Sequence, residues 1–126
     1  MYEVGVKAQF EAAHRLVGDF GPATRMHGHT YTLEVAVHGA ALRPDGTLFD
    51  LTLLQAAVAR LVGMLHYHDL GEVPGLAEVN TTVEQVASFC WQQLAPALAG
   101  QGLLRLTVRL WENPAAYAAY EGPLTA

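Results

Sequence analysis

The sequence predicts one α+β domain of 126 residues: a four-stranded antiparallel sheet with two helices on one face, in the order β-β-α-α-β-β. Three patterns predict it. Apolar residues alternate along 2–14 and 28–38, two later stretches repeat theirs at helical spacing, and alternation returns from Leu103 to Trp111.

The first run carries Val4, Val6, Ala8, Phe10 and Ala12 on one face and ends at His14, which keeps their parity. Gly18-Asp19-Phe20-Gly21-Pro22 has loop chemistry, so residues 15–26 fold back and make the next strand antiparallel to the first. That strand holds Tyr31, Leu33, Val35 and Val37 on one face. Arg43-Pro44-Asp45-Gly46 signals a turn. Asp50 is the expected N-cap of a helix to about Leu65, with Leu54, Val58, Leu61, Val62 and Leu65 as its buried stripe. A loop follows from His66 to Val79. Thr81 and Glu84 form a capping-box pattern for the second helix, whose stripe is Val83, Val86, Ala87, Cys90, Trp91, Leu94 and Leu98. Pro96 is expected to kink or weaken its last turn, and Gly100 to end it. In the third run Leu104, Leu106, Val108 and Leu110 share a face, and Glu112 continues it. A short last strand is expected over Ala115–Tyr120.

Three histidines stand out on this framework. In His27-Gly28-His29 the two rings point the same way, about 6–7 Å apart at the backbone, because strand side chains repeat direction every second residue. Antiparallel pairing brings His14 beside them. A lone histidine on an apolar face is ordinarily a hydrogen-bonded core residue. Three on matching faces are harder to explain that way, because unpartnered buried imidazoles are costly. Three neutral imidazoles plus one open position make a catalytic-type zinc site.

Composition narrows the function classes. Hydrophobic residues make up 52% and charged residues only 15%, which suggests that other subunits cover some apolar surface. The net charge of -5 leaves no basic stripe, so nucleic acid is not an expected partner. One cysteine excludes an intrachain disulfide. The N-terminus lacks signal-peptide features, and no apolar stretch approaches the roughly 20 residues that span a bilayer, so a cytoplasmic location without membrane partners is expected.

Other residues could carry chemistry. Glu112 either draws its carboxylate inward with its strand face or lies past the strand end in solvent. Inward, it needs a cationic or multi-donor partner, and a ligand with two adjacent N–H groups would suit it. His66, His68, Asp69 and Glu72 form a second polar group, either a proton-transfer loop or a solvated surface. Cys90 falls on the apolar stripe and reads as core. No phosphate-cradling glycine loop is present.

The residues Phe10-Glu11-Ala12-Ala13-His14-Arg15-Leu16, His27-Gly28-His29-Thr30-Tyr31, Gly46 through Asp50, Asn80-Thr81-Thr82-Val83-Glu84 and Trp111-Glu112-Asn113 together resemble the 6-pyruvoyl- and 6-carboxy-tetrahydropterin synthase family over nearly the whole chain. The resemblance implies the tunnelling fold and a homo-oligomer, usually a hexamer of two stacked trimers with sites between subunits. It also implies zinc on His14, His27 and His29, and a small-molecule pterin anchored by Glu112 with help from Thr81 and Thr82. The pterin's 2-amino and N3–H edge is a two-donor partner of the kind Glu112 needs. The chain departs from the family at its acid–base residues. Where the synthases carry a cysteine before HGH, this chain has Gly21-Pro22-Ala23-Thr24-Arg25-Met26; where they carry an Asp-His pair it has His66 and Tyr67. His66 or His68, with Asp69, are the expected substitutes. The function expected is therefore a zinc-dependent, synthase-like pterin protein with altered or weak synthase activity. The alternatives are a non-catalytic pterin-binding or regulatory module, or a zinc protein for a ligand other than a pterin.

Overall fold

Alternating apolar residues pull two long strands into register. In the computed structural model, which describes residues 1–125, β1 (Tyr2–His14) and β2 (His27–Gly39) pair antiparallel from Tyr2↔Gly39 to His14↔His27. On one face Phe10, Ala12 and His14 meet Tyr31, Leu33, Val35 and Val37, all buried. The opposite face carries Lys7, Gln9, Glu11, Thr30, Thr32 and Glu34. This is the period-2 division of a sheet covered on one side.

The turn at 43–46 closes through a Gly46 N–H to Arg43 C=O bond of 2.9 Å, with Gly46 at φ +85°. Asp50 then caps α1 (Leu51–Leu65), its carboxylate accepting the Thr52 N–H. The buried stripe is Leu54, Ala57, Val58, Leu61 and Leu65; Val62 is half-buried. After α1, His68 and Asp69 form a two-residue strand, β3, parallel to β1 at Ala12 and Ala13.

The second helix, α2 (Val83–Leu98), starts one residue later than the sequence pattern predicts. Thr82, not Thr81, is the N-cap and accepts the Gln85 N–H at 3.2 Å. Thr81 is buried with both its carbonyl and its hydroxyl turned to His14 Nδ1, at 2.7 and 3.4 Å, which leaves the Thr82 hydroxyl to cap. Helical residues continue through Pro96 to Leu98, and Gly100 follows the Ala99 C-cap at φ +74°, the left-handed position that glycine favours. Phe89 joins the buried stripe beside Cys90.

The last two strands are β4 (Arg105–Asn113) and β5 (Ala116–Pro123), antiparallel to their neighbours, giving the order β3-β1-β2-β4-β5. The sheet is thus five-stranded and mixed, not four-stranded and antiparallel. The extra member is β3, too short to leave a pattern in sequence. Both helices pack on the apolar face, α1 on β1 and α2 on β4 and β5, as the α+β reading requires. Among the described residues no helix is long and apolar enough to cross a membrane.

Candidate metal centre

Pairing of β1 with β2 sets His14 directly opposite His27, with His29 two residues further along β2 opposite Ala12. All three rings lie on the helix-covered face at one end of the sheet. Their centroids are 4.5 Å (His14–His27), 4.9 Å (His27–His29) and 5.2 Å (His14–His29) apart. One nitrogen from each ring falls within 4.8 Å of the others.

Backbone carbonyls fix how two of these rings present themselves. His14 Nδ1 donates to the Thr81 carbonyl at 2.7 Å, and His27 Nδ1 donates to the Arg25 carbonyl at 2.7 Å. Each bond leaves the Nε2 lone pair free, as when a carbonyl behind the ring orients a metal-binding imidazole. The Thr81 carbonyl is held in place by Asn80, whose side chain bonds both the N–H and the C=O of Val17 at 2.9 Å. The loop between β1 and β2 is thereby tied to the start of α2.

The electrostatics also favour neutral rings. Burial pushes the His14 imidazolium below its ordinary range and outweighs the Thr81 bond, which acts the other way; His27 and His29 add repulsion. Burial likewise lowers His29, against the pull of Glu112. His14 Nε2 and His29 Nε2 are buried without a hydrogen-bond partner among the described residues. Two buried nitrogens without a hydrogen bond, one of them facing the Glu112 carboxylate at 3.3 Å, beside a third oriented ring fit a transition-metal ion. Three histidines could hold a metal here.

Glu112 turns inward. Its Oε1 lies 3.3 Å from His29 Nε2, with 27% of the side chain exposed. The register shift between Trp111 and Asn113 falls at Glu112, and such irregularities re-aim side chains. Buried Tyr31 completes this corner: its ring is 5.4 Å from His29, and its hydroxyl has no partner among the described residues. Burial, then the Glu112 charge, push that phenol well above its usual range.

The other predicted site residues are placed differently. Thr81 supports the centre through its backbone, and the Thr82 hydroxyl is used by the helix cap. His66 Nδ1 accepts the Glu11 N–H at 3.1 Å, His68 Nδ1 donates to the His66 carbonyl at 2.8 Å, and Asp69 accepts the Gly71 N–H at 3.0 Å. His68 and Asp69 line an open depression of about 430 Å3 with Glu11, Ala13, Thr30 and His29. Glu11, Ala13 and Thr30 belong to the sheet face that the helices leave open. Sequence reasoning gave no role to two members of this depression, Glu11 and Tyr67. Glu11 accepts from the Thr30 hydroxyl at 2.8 Å, a cross-strand pair legible from the register; Tyr67 carries no local signal. Cys90 is fully buried and its thiol is pushed up to about 12, consistent with a core role.

The chain resembles known proteins over most of its length. A family model described as 6-pyruvoyl tetrahydropterin synthase matches residues 3–123. The chain is 29% identical over 125 residues to a 6-pyruvoyl tetrahydrobiopterin synthase of Dictyostelium discoideum, covering 90% of each. It is also 29% identical to a putative 6-carboxy-5,6,7,8-tetrahydropterin synthase of Pyrococcus horikoshii, covering 87% of this chain and 83% of that one. In fold it resembles the 6-pyruvoyl tetrahydropterin synthase of Caenorhabditis elegans, with a TM-score of 0.83 at 24% identity over 96% of this chain and 95% of that one.

Proposed function

The chain belongs to the 6-pyruvoyl tetrahydropterin synthase family, and we propose that it is a zinc-dependent pterin-binding protein with an altered acid–base relay. The observation that carries this reading is the pairing of the three-histidine cluster with an inward carboxylate. His14 and His27 have their Nδ1 protons committed to carbonyls, and Glu112 lies 3.3 Å from His29. His14, His27 and His29 would hold the zinc. Bound there, it would supply Lewis-acid polarisation of the oxygens on a dihydropterin side chain.

The protein's own groups do the rest. Glu112 accepts the two-donor edge of the pterin, which provides the partner its carboxylate needs. Thr81 acts as a support, since its carbonyl fixes the His14 ring, and Thr82 holds the helix end beside it. Within one chain His68 and Asp69 lie at the depression on the sheet face opposite the three rings, so their share in proton handling rests on a site completed between subunits; the His66 Nδ1 lone pair is engaged by the Glu11 amide. Ala23 has no proton to move. The site is completed in a closed homo-oligomer, a hexamer in this reading.

The substrate expected is dihydroneopterin triphosphate or a related dihydropterin, converted by a lyase step of the synthase type. The test is turnover of dihydroneopterin triphosphate by zinc-loaded protein, with and without acetaldehyde. A rate about 10²- to 10⁴-fold below that of a cysteine-bearing relative is expected, the scale for losing positioned acid–base groups. A rate equal to that relative's would contradict the altered relay. The absence of a proton-transferring side chain at Ala23 favours one second reading, a module that binds pterin without turnover. Tight pterin binding with no product would select it.

A further inference from the structure

Two irregular segments orient the metal-facing rings. The Arg25 carbonyl, near the end of the loop that joins β1 to β2, fixes the His27 ring. The Thr81 carbonyl, just before α2, fixes the His14 ring. The placement of these segments relative to each other therefore decides whether the two imidazoles aim at one point.

One side chain joins the segments. Asn80 Oδ1 accepts the Val17 N–H and Asn80 Nδ2 donates to the Val17 carbonyl, both at 2.9 Å, the paired bonds that a neighbouring strand would make. Among the described residues these are the only hydrogen bonds from residues 16–24 to anything outside the loop. The others close the loop on itself, from the Leu16 N–H to the Ala23 carbonyl and from the Thr24 hydroxyl to the Gly21 carbonyl. Packing adds little, because Val17 is 75% exposed and Gly18, Asp19 and Phe20 are exposed beside it. On the other side, Asn80's own carbonyl accepts the Thr82 N–H at 2.8 Å, a tight turn with Thr81 at its apex. A shift of Asn80 is thus passed to the carbonyl that holds His14. Asparagine suits the place because its short side chain carries a donor and an acceptor in one rigid plane. Aspartate lacks the donor, and serine has one atom for both tasks.

We infer that Asn80 is a positioning residue of the metal centre. By bracketing Val17 against Thr81 it holds the Arg25 and Thr81 carbonyls in register, and so sets zinc affinity without touching the ion. This rests on the proposed zinc reading. The test uses the full-length chain and its Asn80→Ala, Asn80→Ser and Trp91→Phe variants. The Trp91 ring N–H donates to the Leu106 carbonyl at 2.9 Å, near the start of β4 and at the opposite end from Glu112, so its loss is the control for destabilisation alone. Zinc affinity is read by competition with a chromophoric chelator, metal geometry by the visible spectrum of the cobalt(II)-loaded protein, and folding by urea midpoint.

Both Asn80 variants should bind zinc about 10-fold more weakly, the lower end of the range for losing an outer partner of a metal-bound histidine. Their cobalt spectra should differ from the parent's. Trp91→Phe should keep the parent's zinc affinity and spectrum while its urea midpoint falls. Serine keeps a hydroxyl able to accept the Val17 N–H, so Asn80→Ser decides the matter if Asn80→Ala does not fold. Zinc affinity within twofold of the parent in Asn80→Ser would overturn the inference, as would an equal loss in Trp91→Phe. A parent that takes up no zinc sinks the zinc reading first, and the inference falls with it. A zinc-binding parent matched by its Asn80 variants sinks the inference alone.

Discussion

Replacing Glu112 by glutamine changes one oxygen to an amide nitrogen at constant size, and so isolates the carboxylate's role. In the parent the side chain is about a quarter exposed and meets two ligand N–H groups with two acceptor oxygens under the proposed reading. The glutamine keeps one acceptor but points N–H donors at a donor. One charge-assisted hydrogen bond is lost and a partly buried donor is left unpaired, which together cost about 2–3 kcal/mol. At about 1.4 kcal/mol per decade, that is roughly a 30- to 150-fold rise in Kd. The assay is fluorescence titration with neopterin on metal-loaded protein, with zinc measured in the same sample. Zinc should be retained. Because Glu112 raises the proton affinity of both His14 and His29, its neutralisation should also move acid-induced metal loss to lower pH. An unchanged Kd with zinc in place would refute the anchor.

Three further outcomes follow from the same geometry. His14 and His29 are both lowered from the ordinary histidine value of 6.5, so the unfolded chain takes up their protons first as pH falls. Metal-free protein should therefore hold this part of its stability above pH 6.5 and lose it as pH falls from there through the folded-state values. Urea midpoints at pH 7.5 and 5 check this, and a His14→Gln, His29→Gln variant that kept the full slope would contradict it. Gly75→Ala should cost about 1–3 kcal/mol, because φ is +94° and the added Cβ would meet Phe89 Cε2 at 2.8 Å. Gly63→Ala, inside α1 with nothing within 4 Å, should instead gain about 0.5–1 kcal/mol, and chemical denaturation of the pair reads both. Sedimentation at micromolar concentration should show a six-chain assembly, since β1 pairs along its outer edge only at Ala12 and Ala13 and Tyr117 and Tyr120 stand exposed on β5. A stable monomer would remove the basis for a shared site.

Strand parity made much of this site legible in the sequence. His14, His27, His29 and Glu112 each continue an apolar alternation, so their common face follows from a period of two. What parity cannot supply is register with a remote segment. Strand β3 is two residues long and exists because its backbone reaches β1, and nothing in His68-Asp69 itself marks a strand. The helix cap was ambiguous for a similar reason. Thr81 and Thr82 are equivalent locally, and only the His14 ring, 67 residues away in sequence, decides which of them is free to cap. Phe89 packs beside Gly75, a loop residue, so helical periodicity alone did not place it. Tyr67 is the extreme case: its left-handed backbone comes from bonds to Glu11, 56 positions earlier, and an isolated reading of the loop has no means to predict it.

The central claim is that three imidazoles, two of them with committed Nδ1 protons, form a zinc centre. Metal analysis of protein purified without chelators tests it most directly, alongside a His27→Ala, His29→Ala variant. The account predicts close to one zinc per chain in the parent and none in the variant, which should remain folded because both rings are only half-buried at the sheet's end. A parent that takes up no zinc, or a variant that retains it, would contradict the account.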